Sequence, residues 1–158
     1  MIEQIRNFCV GVVMSVLAYL RPIEGELWAL FLIFFVNFIA GYLAGMIARG
    51  EDFLFKKALR CILEATVFFL LCTCIYAVGH FKGQDSGALQ CVSFITYVVI
   101  YFYTTNVMRN LKMMFRKSTP PWQIVAFIYY LLRFKFIDRI PYLNDYLNTE
   151  KKYEDSDR

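Results

Sequence analysis

The residues best suited to chemistry sit inside or beside long apolar runs. Arg60 and Glu64 are four apart, which places them on one helix face, within the run 58–78. A carboxylate at that depth is costly unless it pairs or faces water. The two residues therefore read either as an intramembrane ion pair or as the lining of an aqueous lumen. Asn37, Gly41, Gly45 and Ala48 also recur at helical spacing within the run 27–48. They make one narrow, small face carrying a single amide. Small residues let helix backbones approach closely, and an amide can hydrogen-bond across the contact. That face suits packing against a second copy (an oligomer interface) or against another helix of the same chain. Arg109, Lys112, Arg116 and Lys117 form a basic cluster just past a third apolar run, suited to anionic lipid headgroups.

Other chemistries lack their residues. His80 is the only histidine and closes an apolar run without ligand-type neighbours. There is no paired-carboxylate site, no Ser/His/Asp set and no Gly-rich phosphate loop, so the chain does not read as an enzyme. No metal site or cofactor is expected. The five cysteines, Cys9, Cys61, Cys72, Cys74 and Cys91, include no C-x-x-C pair. They read as small apolar fillers rather than a disulfide framework or zinc site. The net charge of +4 comes mainly from basic residues flanking apolar runs, which argues for membrane topology over nucleic-acid binding.

The elements that must carry these residues are helices in a bilayer. Apolar residues make up 59% of the 158, and the mean hydropathy is +0.47. Residues 27–48 contain no Asp, Glu, Lys or Arg. As a helix they would extend roughly 33 Å, enough to cross ~30 Å of hydrocarbon. Two further spans are expected over 58–78 and 88–108. The fold class is thus all-α: a single polytopic membrane domain over 1–147 with three transmembrane helices. Residues 2–20 alternate apolar and polar positions at helical spacing and form an amphipathic helix that lies in the interface or crosses as a fourth span. Residues 121–140, aromatic and carrying Arg133 and Lys135, read as a C-terminal interfacial helix. Pro22 and Gly25 predict a turn over 21–26, and three glycines predict a flexible loop over 79–87. Residues 148–158 read as a charged flexible tail.

The basic stretches after the first and third spans should lie in the cytoplasm, with 79–87 outside. The C-terminus is then cytoplasmic. Cleavage of the N-terminal segment as a signal peptide is not expected. Glu3 accompanies Arg6, and Tyr19-Leu20-Arg21-Pro22 lacks the small residues of a cleavage site.

Two motifs carry a family resemblance. Asn37-Phe38-Ile39-Ala40-Gly41, followed by Ala44, Ala48 and Lys56-Lys57, stands where that family has a D-Y-x-T-G pattern, small residues and a Lys-rich connection. Thr105-Asn106-Val107-Met108-Arg109-Asn110-Leu111, followed by Pro120 and Pro121, stands where it has E-x-x-S-x-x-E-N-L and then proline. Over roughly residues 27–132 the chain resembles the phage holin family that includes the toxin-secretion, TcdE-like holins. It differs at Asn37, Ala40 and Arg109, which replace the family's Asp, Thr and Glu. The resemblance implies a homo-oligomer in the bacterial inner membrane that opens holes, releasing a lytic protein or collapsing the membrane potential, without making or breaking a bond. Two other readings fit the same residues. One is a channel or effector gated by a regulatory protein partner, as in anti-phage defence. The other is a membrane assembly factor with no pore.

Overall fold

The computed structural model describes residues 2–50 and 55–135. Every element among them is helical: α1 (Ile2–Leu20), a 3-10 turn (Arg21–Ile23), α2 (Glu24–Arg49), α3 (Phe55–Phe81), α4 (Asp85–Met114), α5 (Pro120–Tyr130) and a π-helical segment (Leu131–Lys135). Three stretches are long and apolar enough to cross a membrane: Glu3–Ala48, Ala58–Phe81 and Asp85–Met114. Among the described residues the protein is all-helical with three candidate membrane spans, as its sequence predicts; the first ends at Ala48 and the second begins at Ala58 as expected, while the second and third run on to Phe81 and Met114. The tail 148–158 and the end of the expected 121–140 helix lie outside the described residues.

The chain divides into two compact units. One comprises Met1–Phe38 and Leu54–Ile100, the other Ile39–Phe53 and Tyr101–Arg158. In the first, the core is built from Ile23 of the 3-10 turn, Leu30 and Phe34 of α2, Cys72 and Tyr76 of α3, and Val92, Thr96 and Val99 of α4. Ile23, Leu30 and Phe34 are spaced by seven and four, so one stripe of the continuous helical backbone through the 3-10 turn and α2 faces inward. In the second, Ala40, Ala44, Tyr101, Val107 and Asn110 are buried. Lipid tails are as apolar as leucine, so burial of such side chains supplies packing contacts rather than a hydrophobic drive.

Of two expected breaks, one is absent and the other is short. The turn over 21–26 is replaced by continuous helical backbone. Leu20 (φ −84°, ψ 0°) and Glu24 (φ −55°, ψ −43°) both stay in the helical region, and the Glu24 N–H donates to the Arg21 carbonyl. Pro22 occupies an opening position of the 3-10 turn, where its fixed φ suits a helix and its missing N–H costs little. Gly25 is an ordinary member of α2.

The flexible loop over 79–87 shrinks to a tight turn, because α3 continues to Phe81 and α4 begins at Asp85. Gly83, at φ +66°, closes α3. Its N–H donates to the His80 carbonyl, and the Gln84 N–H donates to the Gly79 carbonyl at 2.8 Å. This pair of bonds is the Schellman arrangement that a left-handed glycine permits. Gly79 serves differently. It lies against α4 so closely that a Cβ there would sit 2.2 Å from the Ala88 Cβ.

Before α5 the chain turns through Ser118, a non-glycine residue at φ 72°. Thr119, which precedes two prolines, is extended at ψ 152°, as a residue before proline must be. The side chain of Ser118 gains no hydrogen bond among the described residues, so its left-handed backbone is uncompensated. Ser118→Gly should therefore raise the stability of the purified protein by about 1 kcal/mol, read as a small rise in unfolding temperature. A fall would mean that the serine hydroxyl holds the turn.

Candidate functional site

The expected Arg60–Glu64 pair is formed. Arg60 Nε donates to Glu64 Oε1 at 2.9 Å. The Arg60 side chain is 83% exposed and that of Glu64 33%, so the carboxylate turns towards the chain while the guanidinium reaches outward, as a snorkelling arginine does. Nearby, Cys61 Sγ lies 3.7 Å from the Phe34 carbonyl oxygen. Beside that contact, Phe31, Phe34, Phe38, Cys61 and Ala65 help line a recess of about 200 Å³ that presents no polar surface.

The small face of α2 distributes as follows. Asn37 is half-buried in the first unit. In the second unit, Gly41 faces Asn110 of α4: a Cβ on Gly41 would sit 3.5 Å from Asn110 Nδ2. Gly45 is buried and Ala48 is exposed. Close approach at Gly41 is thus made to α4 of the same chain, and Asn110 is an inward-facing amide that the sequence motif alone did not mark as buried.

The basic cluster lies on the C-terminal part of α4 and just beyond it. Arg109 is exposed and donates to Asn106 Oδ1 at 2.6 Å. Lys112 Nζ sits 5.4 Å from the Trp122 ring centroid and 5.5 Å from that of Tyr129. Both distances are within cation–π range, so α5 is held to α4 through an ammonium between two rings. The Tyr101 hydroxyl adds a bond to the Leu132 carbonyl at 3.0 Å, where the π-helical segment begins to loosen the regular ladder. Arg116 and Lys117 are exposed. On the outer side of α5 and the π segment, Ile124, Phe127, Ile128 and Phe134 are also exposed.

The first unit holds polar contacts that composition and motif did not foresee. Glu26 accepts a hydrogen bond from Ser93 Oγ at 2.5 Å, joining α2 to α4. His80 Nδ1 bonds Asp85 Oδ1 at 2.9 Å across the α3–α4 turn. The His80 ring lies 5.3 Å from that of Tyr19 and 5.9 Å from that of Tyr76. Among the described residues the buried Tyr19 hydroxyl has no hydrogen-bond partner, and the buried Thr96 hydroxyl faces the Cys72 thiol. Assigning 21–26 to a turn hid Glu26. The available signal was its spacing from Ile23 and Leu30, three and four residues away on the inward stripe. The cysteines divide: Cys72 is buried, Cys61 half-buried, and Cys9, Cys74 and Cys91 are exposed, all as free thiols. An exposed thiol on a spanning helix faces lipid or another helix, so the filler role fits Cys72 and does not describe those three.

The most uncovered element is α1. Residues 3–18 are exposed throughout, including Phe8, Val12, Val13, Met14, Val16 and Leu17. Only Tyr19 and Leu20, at its end, are partly covered. The helix expected over 2–20 is present, and among the described residues its apolar side chains from Ile5 to Leu17 stay exposed. No protein-family model, curated protein or solved structure matches this sequence.

Proposed function

We propose that the protein is a holin-like permeabiliser of the bacterial inner membrane, acting as a homo-oligomer and without covalent chemistry. The observation that carries this reading is α1. A helix with exposed apolar side chains on every side must be covered by lipid or by other copies. Its uninterrupted apolar part, residues 8–20, would reach only about 20 Å as a helix, short of the ~30 Å hydrocarbon thickness. A helix too short to cross disturbs the bilayer locally or is relieved by gathering with its like. Asn37 and the Arg60–Glu64 pair add polar groups that a gathered set of spans could turn towards water. The basic cluster around Arg109–Lys117, with the exposed apolar side of α5, would hold the C-terminal part against anionic lipid on the cytoplasmic face.

Expression in bacteria, followed with a potential-sensitive dye, tests the proposal. Inserted protein should depolarise the inner membrane within minutes of reaching its working level. Membranes that hold their potential while fractionation shows the full complement of inserted protein would refute the permeabilising role.

A further inference from the structure

In the second unit two cations converge on one aromatic ring. Lys112 Nζ of α4 lies 5.5 Å from the ring centroid of Tyr129 in α5. Arg133 Cζ, on the π-helical segment, lies 5.7 Å from the same centroid, and Arg133 donates to the Tyr129 hydroxyl. The backbone that carries Arg133 is tied to α4, because the Tyr101 hydroxyl bonds the carbonyl of Leu132, the preceding residue. Lys112 is half-buried and also meets the Trp122 ring, at 5.4 Å. Packing therefore positions both cations, whereas the side chains of Arg116 and Lys117 are exposed.

What the two cations lack is a counter-charge. Residues 39–50 and 101–135, the described part of this unit, contain no Asp or Glu, against Arg109, Lys112, Arg116, Lys117 and Arg133. The face of a ring attracts a cation but carries no net charge, so two like charges gathered on one ring still repel. Donors remain as well. An ammonium offers three N–H groups and a guanidinium five. Among the described residues the Tyr129 hydroxyl takes one from Arg133, and Lys112 Nζ meets only ring faces.

An anion with several acceptor oxygens meets both deficits, and the end of α4 sets its source. Asp85–Met114 is a candidate membrane span, and Lys112 stands in its last turn, where headgroups begin. Ile124, Phe127 and Phe134, on α5 and the π-helical segment, are exposed apolar side chains. They suit the boundary between headgroups and acyl chains, not an acidic partner in water.

We propose that Lys112 and Arg133, joined through Tyr129, hold the phosphate of one anionic phospholipid. The guanidinium fork matches two phosphate oxygens, and the ammonium meets a third as a point charge. The site rests on the reading that the C-terminal part lies against anionic lipid. It adds Arg133 to that reading and replaces a diffuse attraction with a seat for one headgroup.

The test is thermal unfolding of the full-length protein in detergent micelles containing phosphatidylglycerol, phosphatidylcholine, or phosphatidylcholine with inorganic phosphate, at equal ionic strength. A ligand of the folded state stabilises by mass action. The wild type should unfold about 3–6 °C higher in phosphatidylglycerol than in phosphatidylcholine once the anionic lipid reaches about tenfold its dissociation constant. Arg133→Gln changes an exposed side chain and should lose most of that increment. Lys112→Gln should lose it too, from a lower starting temperature, because it also loosens α5 from α4. The double variant Arg116→Gln/Lys117→Gln should keep it. An Arg133→Gln protein with the full increment, or a double variant that loses as much as Arg133→Gln does, overturns the seat and leaves the broader lipid contact standing. Equal wild-type unfolding temperatures in the two lipids overturn both. A full increment from inorganic phosphate moves the anion to solution and overturns the lipid. Membrane potential enters none of these readouts, so the site and the permeabilising role fail separately.

Discussion

Gly79→Ala should destabilise the protein by about 2–3 kcal/mol, the upper part of the range for forcing a methyl group into a filled contact. A shift of that size lowers the unfolding temperature of the detergent-solubilised protein by roughly 5–10 °C. The new Cβ would fall 2.2 Å from the Ala88 Cβ, with the Ala88 Cα and the Gln84 carbonyl each at 3.4 Å. None of these atoms belongs to a flexible side chain, so the clash can be relieved only by moving α3 away from α4. The Schellman turn at Gly83 holds the two helices at fixed spacing one turn further on, which limits that movement. Ala88→Gly should rescue Gly79→Ala, because it removes the atom in severe conflict and leaves the two 3.4 Å approaches, which are ordinary contacts. The double variant should therefore cost less than the sum of the two single changes, a coupling expected only of residues in direct contact. Additive effects of the two substitutions would show that the helices do not meet at this point.

The reach of the sequence can be judged from the same residues. The three spans were legible because long apolar runs with few charges have few alternatives in a helical chain, and the Arg60–Glu64 pair followed from spacing on one helix. Gly79 was equally visible but read as a loop residue. Glycine signals both flexibility and close approach, and only the identity of the opposing residue decides between them. The Pro22 segment failed for a related reason. Proline bars the interior of a helix but suits its opening turn, and the chain uses it to start a 3-10 turn while the backbone stays helical. That error hid Glu26, since a residue assigned to a turn is not examined for an inward face. The Gly41 face shows a third limit: the spacing predicted close approach, yet periodicity on one helix cannot name the partner. In the second unit Gly41 is met by Asn110, a residue of α4 whose own burial depends on the glycine opposite it.

Removing residues 2–17 should slow depolarisation at least tenfold, while the remaining spans still insert and the unfolding temperature changes little. Residues 3–17 are exposed throughout, and Tyr19, which packs against Tyr76 and His80, is retained. Its exposed side chains include Ile5, Phe8, Val10, Val12, Val13, Met14, Val16 and Leu17. At about 1.5–3 kcal/mol for each one taken from water, their cover is worth on the order of 10–20 kcal/mol. A drive of that size keeps α1 in lipid or against other copies at all times. The run Glu3–Ala48 is 46 residues long, about 69 Å as a straight helix and more than twice the hydrocarbon thickness. Part of it must therefore lie beside or beyond the span, and the uncovered part is α1. A single charge tests the same point without a deletion. Val13→Asp should cost about 2.5–3.5 kcal/mol if α1 crosses near the bilayer centre, and less if it lies in the interface, so the delay in depolarisation reports depth. Cys9, an exposed thiol on α1, gives an independent reading through labelling by a membrane-impermeant maleimide before and after depolarisation. A truncated protein that depolarises cells at the wild-type rate would remove α1 from the mechanism and leave its apolar surface to serve only as an anchor.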